Sequence, residues 1–148
     1  MKFTVALDAN VVLDGLLQRT TMAENCLDIL ALAEDGEISA NISSGNLLNV
    51  MYFLKKAGKA QTEIIATIQQ LLGYIKITSA TANNFIQSLS AGFTDLEDAV
   101  QYFTALDIKG IDYFITSNTK DFKKASAALP VVTPKALMQM WNEHSSKK

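Results

Sequence analysis

The sequence is poor in the residues that build many catalytic and structural sites, with one cysteine, one histidine and two prolines among 148 residues. The single cysteine, Cys26, cannot form a disulfide within the chain, and the sequence has no cluster of cysteines and histidines that would hold zinc. His144 lies in the polar segment 142–148, which we expect to fray, so a nucleophilic mechanism with a histidine base is disfavoured. Any catalysis must therefore use carboxylates, lysines or a metal ion.

Long apolar runs and flexible linkers are also lacking. The apolar stretches are too short to span a membrane, and the strand-like residues 3–7 follow Met1 so closely that we expect no signal peptide. Seven glycines and two prolines leave no low-complexity segment at which to divide the chain. The sequence therefore predicts a cytoplasmic protein with a single domain over residues 1–142 and a polar C-terminal tail over residues 143–148.

Positive charge is scarce as well, since the formal net charge is −2 and Arg19 is the only arginine. Nucleic-acid-binding domains are usually more basic, so any contact with RNA must come from local clusters. Two such clusters occur, with Lys120, Lys123 and Lys124 in one and Lys55, Lys56 and Lys59 in the other. We take the first as the candidate RNA-binding surface, although a solvated face explains either cluster when it is considered alone.

Short β-branched or aromatic stretches alternate with segments of helical periodicity along the chain. The predicted strands are residues 2–7, 38–42, 74–78, 113–116 and 131–132. The predicted helices begin near Asn10, Met22, Ser43, Gln61, Thr81, Thr94 and Pro134. This alternation predicts an α/β fold, a three-layer α/β/α sandwich with a mainly parallel central sheet of four or five strands.

Ligands of such sheets bind beyond the carboxyl ends of the strands, and several acidic residues fall there. Asp8 directly follows the first predicted strand. A turn residue that binds nearby backbone N–H groups would also explain an aspartate at this point. Asn10 is better placed as the cap of the following helix, which leaves Asp8 available for a functional role.

A second acidic group opens the helix that begins near Thr94. Thr94 and Glu97 fit a capping box, and acidic residues in a first turn complement the helix dipole. Asp98 instead falls beside Tyr102 and Ala105, at the margin of the predicted apolar face. Because a carboxylate at the edge of a core needs a partner or a metal ion, Asp98 is the preferred ligand of this helix and Glu97 is the second choice.

A third polar segment follows the fourth predicted strand and contains Thr116, Asn118 and Asp121. Asp121 has two open interpretations, an N-cap for a short helix over residues 123–125 or a member of the site. Asn118 could offer a carbonyl oxygen or a hydrogen bond to a ligand, with Thr116 as a supporting polar residue.

Acidic side chains around one pocket repel one another and raise each other's pKa unless a cation lies between them. Mg²⁺ and Mn²⁺ prefer carboxylate and water oxygens. Such an ion lowers the pKa of a bound water and stabilises charge on a phosphate under attack. The sequence therefore predicts Mg²⁺ or Mn²⁺ as cofactor, with Asp8, Asp98 and Asp121 as catalytic and metal-binding residues and Glu97 as a further ligand.

The order and spacing of these motifs resemble the PIN-domain family, which includes toxin nucleases of bacterial toxin–antitoxin pairs and several RNA-processing enzymes. The resemblance covers nearly the whole chain, through residues 7–14, 42–44, 96–99, 115–122 and 131–134. It implies Asp8 and Asp98 as metal ligands, with Asn118 and Asp121 completing the site. It also implies an endoribonuclease that acts on RNA, an antitoxin-type protein partner and a homodimer.

The chain departs from the family pattern at two positions. Asn49 stands where the family usually has a glutamate, in the helix after the Ser43-Ser44 pair, and Asn118 stands where an aspartate is common. Two neutral amides would weaken metal binding. The alternative function is therefore a catalytically degenerate domain that binds RNA or protein.

A phosphatase with an aspartyl nucleophile is a third interpretation, because Asp8 follows the first strand. That chemistry requires a second acidic residue two positions later. Asn10 occupies this position, so the phosphatase is disfavoured.

Overall fold

The computed structural model describes residues 2–146 and contains a five-stranded sheet with helices on both faces. The strands are β1 (Thr4–Leu7), β2 (Ser39–Ser43), β3 (Ile75–Thr78), β4 (Tyr113–Ile115) and β5 (Val131–Val132). The helices are α1 (Ala9–Leu17), α2 (Ala23–Glu34), α3 (Ser44–Lys56), α4 (Gln61–Leu72), α5 (Ala82–Ser90), α6 (Leu96–Leu106) and α7 (Pro134–Ser146). A short 3₁₀ helix, Thr119–Phe122, follows β4.

The strand order is β3-β2-β1-β4-β5, and each pair of neighbours is parallel. From β1 the chain builds outward through β2 and β3, and then returns to the other side of β1 for β4 and β5. The direction of winding therefore reverses between β1 and β4, which creates a crevice at their carboxyl ends. The predicted parallel sheet and three-layer α/β/α sandwich are confirmed.

The sheet separates two cores, because successive residues of a strand point to opposite faces. Val5 and Leu7 of β1 enter an aliphatic core shared with α1, α2, α3, α4 and α7. Ala6 faces the opposite core, which lies beneath α6 and is rich in aromatic rings. Phe114 and Phe122 pack there with a centroid distance of 5.0 Å.

Tyr102 of α6 ties the segment after β4 to the second core. Its side chain is fully buried, and its hydroxyl accepts a hydrogen bond from the Ser126 N–H at 2.8 Å and donates one to the Leu129 carbonyl at 2.8 Å. Buried phenol groups need such partners. The bonds, together with the buried ring of Phe122, fix the segment that carries Asp121.

Two predicted helix caps are wrong by one or two residues. The N-cap of α1 is Asp8 and not Asn10, because β1 ends at Leu7 and the helix starts at Ala9 without a linker. The N-cap of α6 is Asp95 and not Thr94, and the Asp95 carboxylate accepts the Asp98 N–H at 2.9 Å. The predicted capping box of Thr94 and Glu97 is thus replaced by a cap one residue later.

The predicted polar tail is helical over residues 143–146, because α7 continues to Ser146. Met138 and Trp141 pack on the aliphatic core, and the ring of His144 extends this contact to Phe3 at a centroid distance of 5.8 Å. Residues 147 and 148 lie outside the described part of the chain. Among the helices of residues 2–146, none is long and apolar enough to cross a membrane.

Candidate active site at the carboxyl edge of the sheet

Asp8 and Thr116 join the two strands that flank the crevice. The backbone N–H of Asp8 donates to the Ile115 carbonyl at 3.0 Å, which continues the pairing of β1 with β4 by one residue. The Thr116 hydroxyl donates to the Asp8 carboxylate at 2.8 Å. Both side chains are buried, so the carboxylate of Asp8 is held in one orientation at the point where the sheet reverses its winding.

The environment of Asp8 opposes its negative charge. Burial raises the pKa of the Asp8 carboxyl, and the nearby Asp14 acts in the same direction. The hydrogen bond from Thr116 and the backbone N–H groups of Ala9 and Asn10 lower it, but burial is the larger effect. A buried carboxylate of this kind is stabilised by a cation.

Asp98 approaches the same edge from the first turn of α6. Its side chain is half-buried, whereas that of the adjacent Glu97 is exposed, and Tyr102 and Ala105 on its side of the helix are buried. The placement of Asp98 at the margin of the apolar face is therefore confirmed. Glu97 points toward solvent beside it.

Acidic residues from three parts of the chain raise the pKa of Asp98. Burial and then the neighbouring charges of Asp95, Asp8, Asp121 and Glu97 raise the pKa of the Asp98 carboxyl to about 7. Asp8 and Asp121 thus act on the Asp98 carboxyl group although they are far from it in sequence, one following β1 and the other following β4. Strongly perturbed carboxyl groups in a crevice are typical of functional sites.

Asp121 lies within the 3₁₀ helix Thr119–Phe122, so it is not the N-cap of a helix over residues 123–125. Phe122, the last residue of this 3₁₀ helix, is buried in the aromatic core. The side-chain amide of Asn118 donates to the Asp121 carboxylate, and the Asn118 N–H donates to the Thr116 hydroxyl at 3.1 Å. Thr116 therefore links Asn118 and Asp121 to Asp8.

Within residues 2–146, the other residues predicted for the site, Asn49 and three lysines, have no hydrogen bond to the acidic residues. Asn49 is half-buried in the second turn of α3 and, within the described part of the chain, forms no hydrogen bond with the acidic residues. Lys120, Lys123 and Lys124 are exposed in and after the 3₁₀ helix. Lys124 reaches over the turn before α6, 3.9 Å from the position of a Cβ atom at Gly92.

No three acidic, histidine or cysteine side chains among residues 2–146 lie close enough together to hold one metal ion. The carboxylate oxygens match the chemistry of a hard divalent cation, and the raised pKa of Asp98 is the effect that such a cation relieves. The carboxylate oxygens are therefore of the right chemical type for such an ion, but they lie too far apart to share one. Asp8, Asp98 and Asp121 would have to come closer together to share an ion.

An ion pair beside the site, between a buried aspartate and an exposed arginine, was not predicted from the sequence. The Arg19 guanidinium donates through Nε to the Asp14 carboxylate at 2.6 Å and through Nη2 to the Asn10 side chain at 2.9 Å. Asp14 is 4% exposed, and its charge raises the pKa of Asp8. The signal in the sequence was an aspartate within the apolar α1, five residues before the only arginine.

Comparison with known families and structures agrees with this architecture. A family model described as the PIN domain matches residues 4–120. A chain of VapBC2 from Rickettsia felis, solved bound to a DNA fragment from their promoter, is similar with a TM-score of 0.62 and 17% identity, over 88% of this chain and 98% of that one. At this identity the similarity shows the fold alone.

A chain of a toxin–antitoxin complex from Klebsiella pneumoniae is also similar. Its TM-score is 0.61 and its identity is 25%, over 88% of this chain and 97% of that one. No curated protein matches the sequence.

Proposed function

The chain belongs to the PIN-domain family, and we propose that it is a toxin-type endoribonuclease that hydrolyses phosphodiester bonds with Mg²⁺ or Mn²⁺. The observation that carries the proposal is the buried Asp8 carboxylate, which Thr116 holds at the crevice between β1 and β4. The half-buried Asp98 supports it, because burial and the charges of Asp95, Asp8, Asp121 and Glu97 raise its pKa to about 7. A convergence of like charges at the switch point of a parallel sheet suits a cation and an anionic substrate.

We assign the ion to Asp8, Asp98 and Asp121, with Glu97 at the rim. When bound, it would lower the pKa of a water and stabilise charge on the phosphate under attack. The residues of the chain prepare this site. Thr116 orients the Asp8 carboxylate through its 2.8 Å hydrogen bond, and Asn118 orients Asp121.

We assign the RNA contact nearest the site to Lys120, Lys123 and Lys124. All three are exposed and lie on the same short segment as Asp121. Lysines that contact phosphates release counterions, so they add affinity that falls with rising salt. The net charge of −2 makes such a local cluster necessary for binding RNA.

We also propose an antitoxin-type protein partner and a cytoplasmic location. The similar chain from Klebsiella pneumoniae comes from a toxin–antitoxin complex, and the thiol of Cys26 is free and buried, which suits a reducing compartment. A nuclease that acts on cellular RNA needs restraint, and a tightly bound protein provides it.

A homodimer is proposed on the surface of α5. This helix buries the polar Asn84 and Ser88 and exposes Phe85, Ile86 and Leu89. Because α5 contains no charged residue, two copies of its outer face would meet without repulsion. Sedimentation of a Leu89→Ser variant as a monomer, where the native chain is a dimer, tests this assignment.

A catalytically degenerate domain that binds RNA or protein is the alternative function. The observation that favours it is the lack, among the described residues, of three carboxylates close enough to share an ion. Asn49 and Asn118 stand at two positions where the family usually carries acids, and neither contributes a negative charge. Such a site would bind Mn²⁺ weakly.

The test is cleavage of a total cellular RNA pool with Mg²⁺, with Mn²⁺ and with chelator, for the native chain and for Asp98→Asn. We expect metal-dependent products from the native chain and a loss of at least about 10²-fold in the variant, because metal-ligand charge supplies several kcal/mol. Asp28→Asn, which alters an exposed aspartate on α2, is the matched control and should cleave normally.

Two outcomes contradict the proposal. Equal cleavage by the native chain and Asp98→Asn would remove Asp98 from the site. Lack of any products at every metal concentration, with RNA or protein binding retained, would establish the degenerate domain instead.

A further inference from the structure

Arg19, the only arginine in the chain, folds back along α1 toward the acidic edge of the sheet. The helix starts directly after Asp8 and ends two residues before Arg19. The Arg19 guanidinium donates through Nε to the Asp14 carboxylate at 2.6 Å and through Nη2 to the Asn10 side chain at 2.9 Å. Because Asn10 lies in the first turn of α1, the guanidinium lies beside the end of the helix that meets Asp8.

The backbone at Gln18 makes this return possible. Gln18 is the C-cap of α1 with a φ of 53°, and among residues 2–146 it is the only residue other than glycine with a positive φ. Its N–H donates to the Asp14 carbonyl at 2.9 Å and its side chain donates to the Gly15 carbonyl at 2.8 Å, and both bonds hold the turn. Glycine usually occupies such a left-handed cap. The chain therefore carries backbone strain directly before Arg19, which is typical of functional segments.

Asn10 and Asp14 connect the arginine to the acidic edge. The backbone N–H of Asn10 stabilises the negative charge of the Asp8 carboxylate and lowers its pKa, whereas the charge of Asp14 raises that pKa. The two residues that hold the guanidinium therefore both act on Asp8. Arg19 is thus fixed beside the carboxylate that we assign to the metal ion.

The guanidinium keeps free donors on its outer side. Nη1 has no hydrogen-bond partner among the described residues 2–146. The side chain of Arg19 is 36% exposed and that of Asp14 is 5% exposed, so the aspartate binds the group from the protein side. An arginine held in this way presents a planar edge of N–H groups that matches the oxygens of a phosphate.

A purely structural role explains only part of this arrangement. The buried Asp14 carboxylate needs a positive charge beside it, and the ion pair with Arg19 supplies one. The hydrogen bond from Arg19 to Asn10 is exposed, and exposed polar contacts of this kind add little stability. Its effect is to fix the direction of the guanidinium edge, which a counter-charge alone does not require.

An RNA strand that crosses the acidic edge can be held on both sides of Asp8. The segment that carries Lys120, Lys123 and Lys124 follows β4 and is anchored by Phe122 in the aromatic core. The helix α1 packs in the aliphatic core on the opposite face of the sheet. Arg19 is the cation held beside Asp8 on this second side.

We propose that Arg19 binds a backbone phosphate of the RNA substrate, next to the phosphate that is cleaved at the acidic edge. Asp14 and Asn10 are positioning residues, since they hold the guanidinium. The inference rests on the proposed nuclease and names a contact between that site and its substrate. Arg19 increases the affinity for RNA and fixes the register of the strand over Asp8.

The contact is tested by fluorescence anisotropy with a fluorescent pool of random single-stranded RNA about 12 nucleotides long, in chelator so that the RNA stays intact. Arg19→Gln should weaken binding by about tenfold at about 50 mM salt. The slope of log affinity against log salt should fall in magnitude by about 0.7, the contribution of one phosphate on a single strand. The matched control, Lys109→Gln, removes an exposed lysine beyond the far end of α6 and should keep the native slope.

A double variant separates the RNA contact from the stability of the fold. Arg19→Gln alone leaves the buried Asp14 charge unpaired, which is destabilising. Arg19→Gln with Asp14→Asn removes both charges, so its net charge equals that of the native chain, and it should fold and still show the reduced slope. Arg19→Lys keeps the charge but cannot form the same fork. It should keep most of the slope and cleave RNA about fivefold more slowly with Mn²⁺, because the strand is less well oriented.

A native slope in the double variant would overturn the proposal, because Arg19 would then serve only as the counter-charge of Asp14. Equal losses of slope in Lys109→Gln and Arg19→Gln would overturn it as well, since any positive charge would then have the same effect. A native chain that binds RNA without cleaving it would contradict the nuclease alone, because the slopes of the Arg19 variants still decide the contact. Lack of any RNA binding by the native chain would overturn both.

Discussion

The acidic edge of the sheet and the exposed surface of α3 and α4, which we call the α3–α4 groove, gather charge of opposite sign in opposite environments. The residues that line the groove include Met51, Tyr52, Ile65, Lys55, Lys56 and Lys59. Asp8 is buried and Asp98 is half-buried, and burial is the largest cause of the raised pKa of each. Lys55, Lys56 and Lys59 stand in solvent at the end of α3 and beyond it. The edge therefore holds charge that the folded chain disfavours, whereas the groove displays charge that water already stabilises.

The two regions therefore depend on the fold to different degrees. Carboxylates that repel each other stay together only if a rigid frame holds them, and the backbone of β1, β4 and α6 supplies that frame. Exposed lysines around apolar side chains need only a helix to carry them. Substitutions of residues that support the edge should therefore change stability strongly, and substitutions in the groove should change it little.

The largest effect is expected at Phe122, which anchors the segment that carries Asp121. Its ring is 3% exposed and packs against Phe114 and Phe93. Phe122→Ala should lower the free energy of unfolding by about 3–5 kcal/mol, because it removes buried apolar area and leaves a cavity. Urea denaturation measures this loss, and Phe122→Leu is the control that keeps most of the volume and should lose much less. A loss below about 1 kcal/mol in Phe122→Ala would show that the frame does not depend on this ring.

Much of the frame was predictable from the sequence, because hydrophobic periodicity reports which face of a segment is buried. The start of α4 at Gln61 was predicted as observed, and the bounds of each strand were predicted to within two residues. The same reasoning identified Asp98 as the acidic residue nearest the core of α6. These features depend on residues that are close together in the chain.

The features that were not predicted depend on contacts between distant residues or on the backbone at the ends of helices and strands. Asp8 became the N-cap of α1 because β1 and α1 meet without a linker. Asp121 lies in a 3₁₀ helix whose last residue, Phe122, is buried in the aromatic core. The ion pair of Asp14 with Arg19 joins two residues on either side of the end of α1. Periodicity carries no information about such a contact.

A smaller effect is expected from the pH dependence of Asp98. Its pKa is raised from 3.8 to about 7, so between about pH 4 and pH 7 the folded state retains a proton that the unfolded state has released. Stability therefore falls as the pH rises through this window, and the loss is complete above the folded pKa. Asp98→Asn removes this titration, and the variant should be more stable than the native chain at about pH 8 by about 1–2 kcal/mol after allowance for solvent screening.

Urea denaturation at about pH 4 and about pH 8 measures this dependence. The two proteins should have similar stability at the lower pH and separate at the higher one. Added Mn²⁺ should stabilise the native chain at high pH more than the variant, because a bound cation relieves the repulsion at Asp98. Parallel pH profiles for the two proteins would show that the charge of Asp98 is not disfavoured by the fold.

The smallest effect on stability is expected in the α3–α4 groove. Met51 and Ile65 are substantially exposed, so each keeps much of its contact with water in the folded state. Met51→Ser with Ile65→Ser should change the free energy of unfolding by about 1 kcal/mol or less, measured by the same urea denaturation. The matched control, Val50→Ser, removes a fully buried neighbour on α3 and should lose several times more. A large loss in the double variant would show that Met51 and Ile65 contribute to the core. The groove and the acidic edge would then not differ in how much they contribute to stability. A small loss would establish that the apolar side chains of the groove contribute little to the stability of the fold.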